Sequence, residues 1–228
     1  MATSVEKPSS QTPPAPPDEA PALTWLVNWI KGHQNLATGL AVAVVAAVGI
    51  GWYTIVSRNK VEAAASQRLS QGRLAFEAHN YPLAASELAR LVENYSGTRA
   101  AAQANLVLAQ VRLAQGQTQQ AIDLLNRVAP SMGRDYQAQA YSLLGGAYEN
   151  VLRFKDAATA YEEAAKHAQY PFQRGQNLND AGRTWATAGD TARALAAYRS
   201  VISGTDSTSG LNEAKVRVGE LTRGVGTH

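Results

Sequence analysis

Residues 141–171 have the sequence YSLLGGAYENVLRFKDAATAYEEAAKHAQYP, in which two alanine-rich, helix-favouring stretches flank a short turn. Gly145 lies in the first stretch, Ala157 follows twelve residues later, and Tyr161 follows four residues after that. Small residues at the first two positions let two helices approach closely, and the large residue is expected to fill the gap to the next unit of two helices. The segment therefore predicts a helical hairpin that cannot bury its apolar side alone.

The same arrangement of small, small and large residues occurs four times along the chain. The aligned alanines are separated by 37, 36 and 37 residues. Equal spacing over four occurrences indicates an internal repeat, whose units hide their apolar sides by stacking on one another. The three positions are Gly72, Ala84 and Leu88 in unit 1, Ala109, Ala121 and Leu125 in unit 2, Gly145, Ala157 and Tyr161 in unit 3, and Gly182, Ala194 and Tyr198 in unit 4.

These positions resemble the consensus of the tetratricopeptide repeat (TPR), and the resemblance covers about residues 65–206. It implies an all-α fold, a right-handed α-solenoid of about four helical hairpins within a repeat domain at 61–223. A final amphipathic stretch at about 210–222 predicts a capping helix, which solenoids need to shield their last apolar face. Unit 3 matches the consensus best, through Tyr141, Leu144, Gly145, Tyr148, Phe154, Ala157 and Tyr161.

An uncharged run, Leu36–Val56, precedes the repeats and is long enough to cross about 30 Å of hydrocarbon as a helix. We predict a transmembrane helix at 35–57. A buried core helix is the alternative, and a cleaved signal peptide fits less well because a long polar segment comes first. Small residues recur at every fourth position of the run and predict a face for helix–helix packing in lipid, although alanine-rich runs also produce such patterns by chance. They are Gly39, Ala43, Ala47 and Gly51.

The first 34 residues divide into two parts. Residues 1–21 are rich in proline and predict a disordered tail, because they lack the apolar surface that would offset the entropy of ordering. Residues 22–34 contain Trp25 and Trp29 on one helical side, which favours a short helix at the membrane interface. The alternative is that these residues extend the next helix.

The distribution of charged residues does not settle which side of the membrane the repeats occupy. Lys31 precedes the apolar run, whereas Arg58, Lys60 and Arg68 follow it, and the positive-inside rule then places the repeats in the cytoplasm. The architecture of one anchor and about four degenerate repeats resembles the ancillary Sec-translocon subunit (YfgM-like) family of Gram-negative bacteria. That resemblance implies an inner-membrane protein whose repeats face the periplasm and which partners with an anchored chaperone beside the translocon.

Composition argues against several classes of function. The chain has 21 basic and 18 acidic residues, and its net charge of +3 is too small to indicate nucleic-acid binding. It has no cysteine, which excludes disulfides and thiolate sites. Its four histidines are far apart, and no nucleophile motif is present. We therefore expect no enzymatic activity, no metal and no cofactor.

The first helix of each unit is expected to line the concave face, where a partner protein binds. The expected surface mixes glutamine and leucine and lacks the basic cluster that clamps a C-terminal carboxylate. We expect a membrane-tethered scaffold for protein–protein interaction, associated with a translocon or chaperone; the alternative is an accessory structural subunit of another membrane complex, for envelope assembly or bioenergetics. The predicted contact residues are Leu69, Arg73, Phe76, Leu106, Gln110, Leu113, Gln139, Leu143, Asn150, Asn179 and Arg183, accompanied by Glu77, Gln103, Ser142, Gln176 and Asp180.

Overall fold

A computed structural model describes Trp29 and residues 31–204 and 210–222 of the chain. Within these ranges the protein is helical without a strand, which confirms the predicted all-α fold. The tail predicted at 1–21, and most of the interfacial helix predicted at 22–34, lie outside the described residues. The helices are α1 (Gln34–Glu77), α2 (Tyr81–Asn94), α3 (Arg99–Ala114), α4 (Thr118–Val128), α5 (Arg134–Asn150), α6 (Phe154–His167), α7 (Pro171–Thr187), α8 (Thr191–Ile202) and α9 (Leu211–Leu221), with a 3-10 turn at Ala129–Ser131.

The chain divides into two compact units after Val56. The first contains the apolar part of α1, whose large side chains, such as Val45 and Trp52, are more than two-thirds exposed. By length and composition, α1 is the one helix in the described part of the chain that is apolar enough to cross a membrane. The predicted transmembrane helix at 35–57 lies within α1.

The second unit is a stack of helical hairpins. Each helix from α2 to α9 packs on the next along the chain, and α3 also contacts α5, the first helix of the following repeat unit. The two helices of a repeat unit are α1 and α2, α3 and α4, α5 and α6, or α7 and α8. The helix contacts of the described residues join neighbouring hairpins, and one apolar core extends along the stack, as the repeat pattern predicts.

Glycines in the first helices lie directly under large side chains of the second helices. A Cβ atom added to Gly145 would lie 2.7 Å from the ring of Tyr161, and one added to Gly182 would lie 2.8 Å from the ring of Tyr198. The predicted close approach is thus present. The absent Cβ leaves a slot that the ring occupies within its own hairpin. That the large residue also fills the gap to the next unit stays a prediction.

The turn inside each hairpin has the same backbone geometry. Its central residue has a positive φ, and the four positions are separated by the repeat spacing of 37, 36 and 37 residues. The following N–H bonds to a carbonyl five residues back, as in Asn80 to Ala75 and Arg153 to Tyr148, which is the Schellman arrangement. The central residues are His79 (φ 57°), Gly116 (φ 73°), Leu152 (φ 59°) and Gly189 (φ 82°).

Side chains from one unit cap or close the next. The Glu62 carboxylate on α1 accepts hydrogen bonds from the N–H groups of Arg99 and Ala100, both at 2.9 Å, at the start of α3. This carboxylate satisfies donors that a helix N-terminus leaves unpaired. At the other end, the Asn179 Nδ2 on α7 donates to the carbonyl of Gly210 at 3.0 Å, which holds the start of the predicted capping helix α9.

An ion pair joins the third and fourth units. Arg183 on α7 donates to both carboxylate oxygens of Glu149 on α5 at 2.8 and 2.9 Å, and the Tyr161 hydroxyl donates to the same carboxylate at 2.7 Å. The hydrogen bond from Arg183 holds the pKa of Glu149 below its usual value, against the effect of burial. Burial raises the pKa of the neighbouring Asp180, although Arg183 opposes this.

The slot at Gly145 gives the first testable prediction. Gly145→Ala is expected to lower the free energy of unfolding by about 1–3 kcal/mol, because the new methyl group overlaps a ring that Glu149 holds in place. In Gly146→Ala the new atom meets only the Tyr161 hydroxyl, at 3.6 Å, and alanine's helix propensity should raise stability by up to about 1 kcal/mol. Thermal and urea unfolding of the full chain in detergent, followed by circular dichroism, compares the two. Equal changes in the free energy of unfolding for the two variants would contradict the conclusion that Tyr161 fills a slot above Gly145.

The ion pair gives the second prediction. Glu149→Gln should lower the free energy of unfolding near neutral pH by about 1–2 kcal/mol, a value between those of exposed and buried pairs because Arg183 is partly exposed. The pKa of Glu149 is lowered in the folded state, so its stabilisation is present above the usual value of 4.5 and is lost as pH falls. The deficit of the variant should therefore shrink below about pH 4.5.

Glu163→Gln is the matched control, because Glu163 pairs with Lys166 on the exposed side of α6. It should change stability by less than about 0.5 kcal/mol. Urea midpoints of the three proteins across a pH series provide the measurement. A deficit for Glu149→Gln that stays constant into acid would mean that the carboxylate charge is not responsible.

Candidate functional site

The first helices of successive units line a groove made of two connected recesses. The proximal recess, about 410 Å³, lies between α1, α3 and α5, and the distal recess, about 590 Å³, lies between α3, α5 and α7. Both include Gln110 and Gln139, so they are continuous, and we call their combined lining the groove. The proximal recess is lined by Arg73, Phe76, Glu77, Gln103, Leu106, Val107, Gln110, Tyr136 and Gln139, and the distal recess by Gln110, Arg134, Asp135, Ala138, Gln139, Ser142, Leu143, Gly146, Gln169, Tyr170, Gln173, Gln176 and Asn177.

Glutamine is the commonest residue of the groove. Gln103, Gln139 and Gln176 are separated by 36 and 37 residues and therefore occupy equivalent positions in three successive units. Gln103 is held in place, because its Nε2 donates to the Tyr136 hydroxyl at 2.9 Å and its Oε1 accepts from Arg73 at 3.2 Å. Four other side-chain amides have no hydrogen-bond partner among the described residues, and they belong to Gln110, Gln139, Gln173 and Gln176.

The charged residues of the groove balance one another. The proximal recess has one basic and one acidic residue, Arg73 and Glu77. The distal recess likewise has Arg134 and Asp135, and the Asp135 carboxylate accepts a hydrogen bond from Gln169 at 2.8 Å. The formal charge of the residues that line each recess is therefore zero.

Two exposed aromatic rings stand at the end of the distal recess. Tyr170 and Phe172 are stacked, with centroids 5.7 Å apart and an interplanar angle of 17°. They are 56% and 52% exposed, and Tyr170 lines the recess. They lie where the connection between α6 and α7 enters α7. Paired aromatic rings that remain exposed are typical of contact sites for a partner.

Six of the eleven main predicted contact residues line the groove, as do four of the five that accompany them, namely Glu77, Gln103, Ser142 and Gln176. Among the others, Leu69 and Asn179 are buried, and Leu113 packs partly against the core. Arg183 is engaged with Glu149, while Asn150 is exposed at the end of α5 outside the two recesses. The six that line the groove are Arg73, Phe76, Leu106, Gln110, Gln139 and Leu143.

Several groove residues were not predicted. Tyr136, Gln169, Tyr170 and Gln173 come from the connections between units and from the first turns of α5 and α7. Helical periodicity predicts which side of a helix a residue lies on. It does not predict where the residues of a connection between two helices lie. One feature of the sequence could have indicated the stacked pair. Tyr170 and Phe172 flank Pro171, which is typical of a helix start, where side chains are often exposed.

The predicted helix-packing face on α1 has free space around it. A Cβ atom added to Gly39 or to Gly51 would have no atom within 4 Å outside its own stretch of helix. Ala43 and Ala47 are exposed. This face remains a prediction. In the part of the chain that the structure describes, no three His, Asp or Glu residues are grouped so that they could hold a metal ion.

Comparison with known proteins agrees with this geometry. Among solved structures, the chain is similar to the MamA protein, with a TM-score of 0.54, 18% identity, and coverage of 70% of this chain and 81% of that chain. It is also similar to a Podosopora anserina putative kinesin light chain with nearly identical TPR-like repeats, with a TM-score of 0.54, 14% identity, and coverage of 72% and 87%. At these identities the likeness concerns the fold alone.

Sequence comparison identifies the family directly. No curated protein matches the chain. The family model described as a tetratricopeptide repeat-like domain matches residues 62–179, which is 118 of the 228 residues and includes the first helices that build the groove. The chain therefore belongs to the tetratricopeptide repeat-like domain family.

Proposed function

We propose that this protein is a membrane-tethered scaffold, not an enzyme, that binds a partner protein in the groove. The observation that carries the proposal is the row of unpaired side-chain amides along the groove, beside an exposed aromatic pair. Solenoids of this family present extended surfaces of this kind to other proteins. Unpaired donors and acceptors on such a surface are available to a partner at little cost in rearrangement.

The apolar part of α1 supports the tether. Its valines and Trp52 are exposed to an extent that water-soluble proteins rarely tolerate over a continuous surface. Hydrocarbon would cover this surface, and the length of the run suits one crossing. We place the repeats in the periplasm of a bacterium, following the resemblance to the translocon-associated family, with a translocon or its chaperone as the partner.

A second function is supported by the small-residue face of α1. Gly39, Ala43, Ala47 and Gly51 recur at every fourth residue, and small residues on one face let another transmembrane helix approach closely. An accessory subunit of a different membrane complex, for envelope assembly or bioenergetics, would use this face together with the groove. The two proposals differ in the partner and agree on the architecture.

The third prediction tests the tether. The full chain should stay with membranes after alkaline carbonate extraction, and the double substitution Val45→Asp with Val48→Asp should release it, because each aspartate at the centre of a span costs about 2.5–3.5 kcal/mol. The control is Val61→Asp, which alters an exposed valine outside the apolar run. Release of the unaltered chain by carbonate would rule out a spanning helix.

Reporter fusions to the full chain test which side of the membrane the repeats occupy. Alkaline phosphatase fused after His228 should be active, because that reporter folds only after export. A fluorescent reporter that folds only in the cytoplasm should stay dark at the same position. The opposite pair of results would agree with the positive-inside rule and reject the periplasmic placement.

The fourth prediction tests the groove as the binding surface. A photo-crosslinking amino acid at Gln139, in the groove, should capture a discrete partner in membranes, whereas the same amino acid at Gln119, on the exposed side of α4, should not. Mass spectrometry then identifies the partner. Translocon or chaperone subunits support the first proposal, and stoichiometric subunits of another complex support the second. Equal capture from both positions would reject the groove.

A further inference from the structure

We infer that one edge of the repeat stack lies on the membrane surface and binds the headgroups of anionic lipids. We call it the connection edge, because it contains the connections between repeat units together with the start of the repeat part of α1. The inference rests on the proposed membrane tether and goes beyond it, since it gives the repeat domain a lipid-binding surface of its own. The connection edge consists of the segments 57–62, 95–101, 128–137 and 167–175.

Contacts between these four segments show that they lie side by side. The Glu62 carboxylate accepts hydrogen bonds from the N–H groups of Arg99 and Ala100, which joins the first segment to the second. A recess of about 380 Å³ is lined by the second and third segments. The Asp135 carboxylate accepts a hydrogen bond from Gln169, which joins the third segment to the fourth. The starts of α3, α5 and α7 therefore form one continuous edge with the part of α1 at Glu62.

The connection edge begins where the apolar run ends. Val56 is the last residue of that run, and Glu62 comes six residues later in the same continuous helix. A helix rises about 1.5 Å per residue, so these two residues are about 9 Å apart along α1. The headgroup layer on each side of a bilayer is about 5–8 Å thick. With the run crossing the hydrocarbon, the connection edge lies at the outer boundary of the headgroups.

The connection edge is basic, whereas the opposite edge of the stack is balanced. The four segments contain five basic and two acidic residues, and both acidic side chains accept the hydrogen bonds described above. The hairpin turns of the opposite edge, at 77–82, 114–119, 150–156 and 187–193, contain three basic and three acidic residues. All five basic side chains of the connection edge are exposed, namely Arg58, Lys60, Arg99, Arg134 and Arg174.

This charge complements anionic lipids. Guanidinium groups donate paired hydrogen bonds to phosphate oxygens, and basic side chains near an anionic leaflet are attracted to it. The attraction falls off within about 8–10 Å at moderate salt. The connection edge lies within that distance of the headgroups, so its basic residues are at the depth at which they interact with lipid phosphates.

The stacked rings of Tyr170 and Phe172 belong to the same edge. Phe172 occupies in unit 4 the position that Glu62 occupies in unit 1, because three repeat spacings separate them. Exposed aromatic rings are favoured at the interface between membrane and water. A protein partner could also cover the rings, but their position beside exposed arginines, at the depth of the headgroups, favours lipid.

The test places one fluorescent label at each end of α4, which is possible because the chain has no cysteine. Ser131→Cys labels the connection edge and Gln117→Cys labels the opposite edge, and both residues are exposed. The full chain is reconstituted in vesicles that contain phosphatidylglycerol and a lipid with a nitroxide quencher on its headgroup. We expect quenching at position 131 to be at least about threefold that at position 117. The difference should shrink in phosphatidylcholine vesicles and at high salt, because both weaken the attraction.

Variants of the Ser131→Cys protein distinguish binding from proximity. Arg134→Gln with Arg174→Gln should lower the quenching about twofold to fivefold in phosphatidylglycerol vesicles. Phe172→Ser should lower it in vesicles of either lipid, because the ring does not depend on lipid charge. The control is Lys155→Gln with Lys215→Gln, which removes two exposed positive charges outside the connection edge. It should leave the quenching unchanged. Circular dichroism melting curves establish that each variant is folded.

Two outcomes overturn the inference: equal quenching at the two ends of α4, or equal losses for the arginine pair and the lysine pair. Either one leaves the proposed function standing if the unaltered chain still resists carbonate extraction, since the chain is then tethered without a lipid-binding edge. Release of the chain by carbonate, in contrast, rejects the tether itself. The two failures are therefore distinguishable.

Discussion

The close approach of two helices at one point in each hairpin is the constraint on which the stack depends. In units 1, 3 and 4 a glycine removes the Cβ that would otherwise separate the helices, and the opposite side chain fills the slot. Unit 2 has alanine and leucine at these positions, where units 3 and 4 have glycine and tyrosine. In unit 2 the methyl group of alanine thus faces a side chain smaller than tyrosine, whereas unit 1 combines glycine with leucine, so the volumes of the two residues compensate in some units only.

The turns of the hairpins include a backbone conformation that is unfavourable for the residue that adopts it. Leu152 adopts a positive φ that costs a non-glycine residue about 1–2 kcal/mol, although units 2 and 4 use glycine at the same position. Its side chain is 73% exposed, so packing does not compensate for the strain. The contact between Gly145 and Tyr161 holds the two helices together, and the Schellman hydrogen bond from the Arg153 N–H to the Tyr148 carbonyl closes the turn at Leu152.

Sequence predicted the hairpins well because their contacts are encoded at short, regular separations. Twelve residues separate Gly145 from Ala157, and the spacing survives in all four units. The groove is different, since its walls combine residues from three units and their connections. Register alone could place Gln139 but not Tyr170, and it could not tell that Asn179 is buried against Gly210. A helix in the stack packs against several neighbours. The sequence pattern does not show which of its residues each neighbour buries, because that depends on how the helices pack.

One missing side chain in the third unit shapes the distal recess. Gly146 lines this recess and occupies the position that has Arg73 in unit 1, Gln110 in unit 2 and Arg183 in unit 4. A long side chain there would project toward Gln139 and Ser142 or, as Arg183 does, reach a carboxylate of the preceding unit. Its absence leaves the larger of the two recesses next to Tyr170. Gly145 serves the hairpin contact and Gly146 lines the groove, so two adjacent glycines shape the packed side and the groove side of one helical turn.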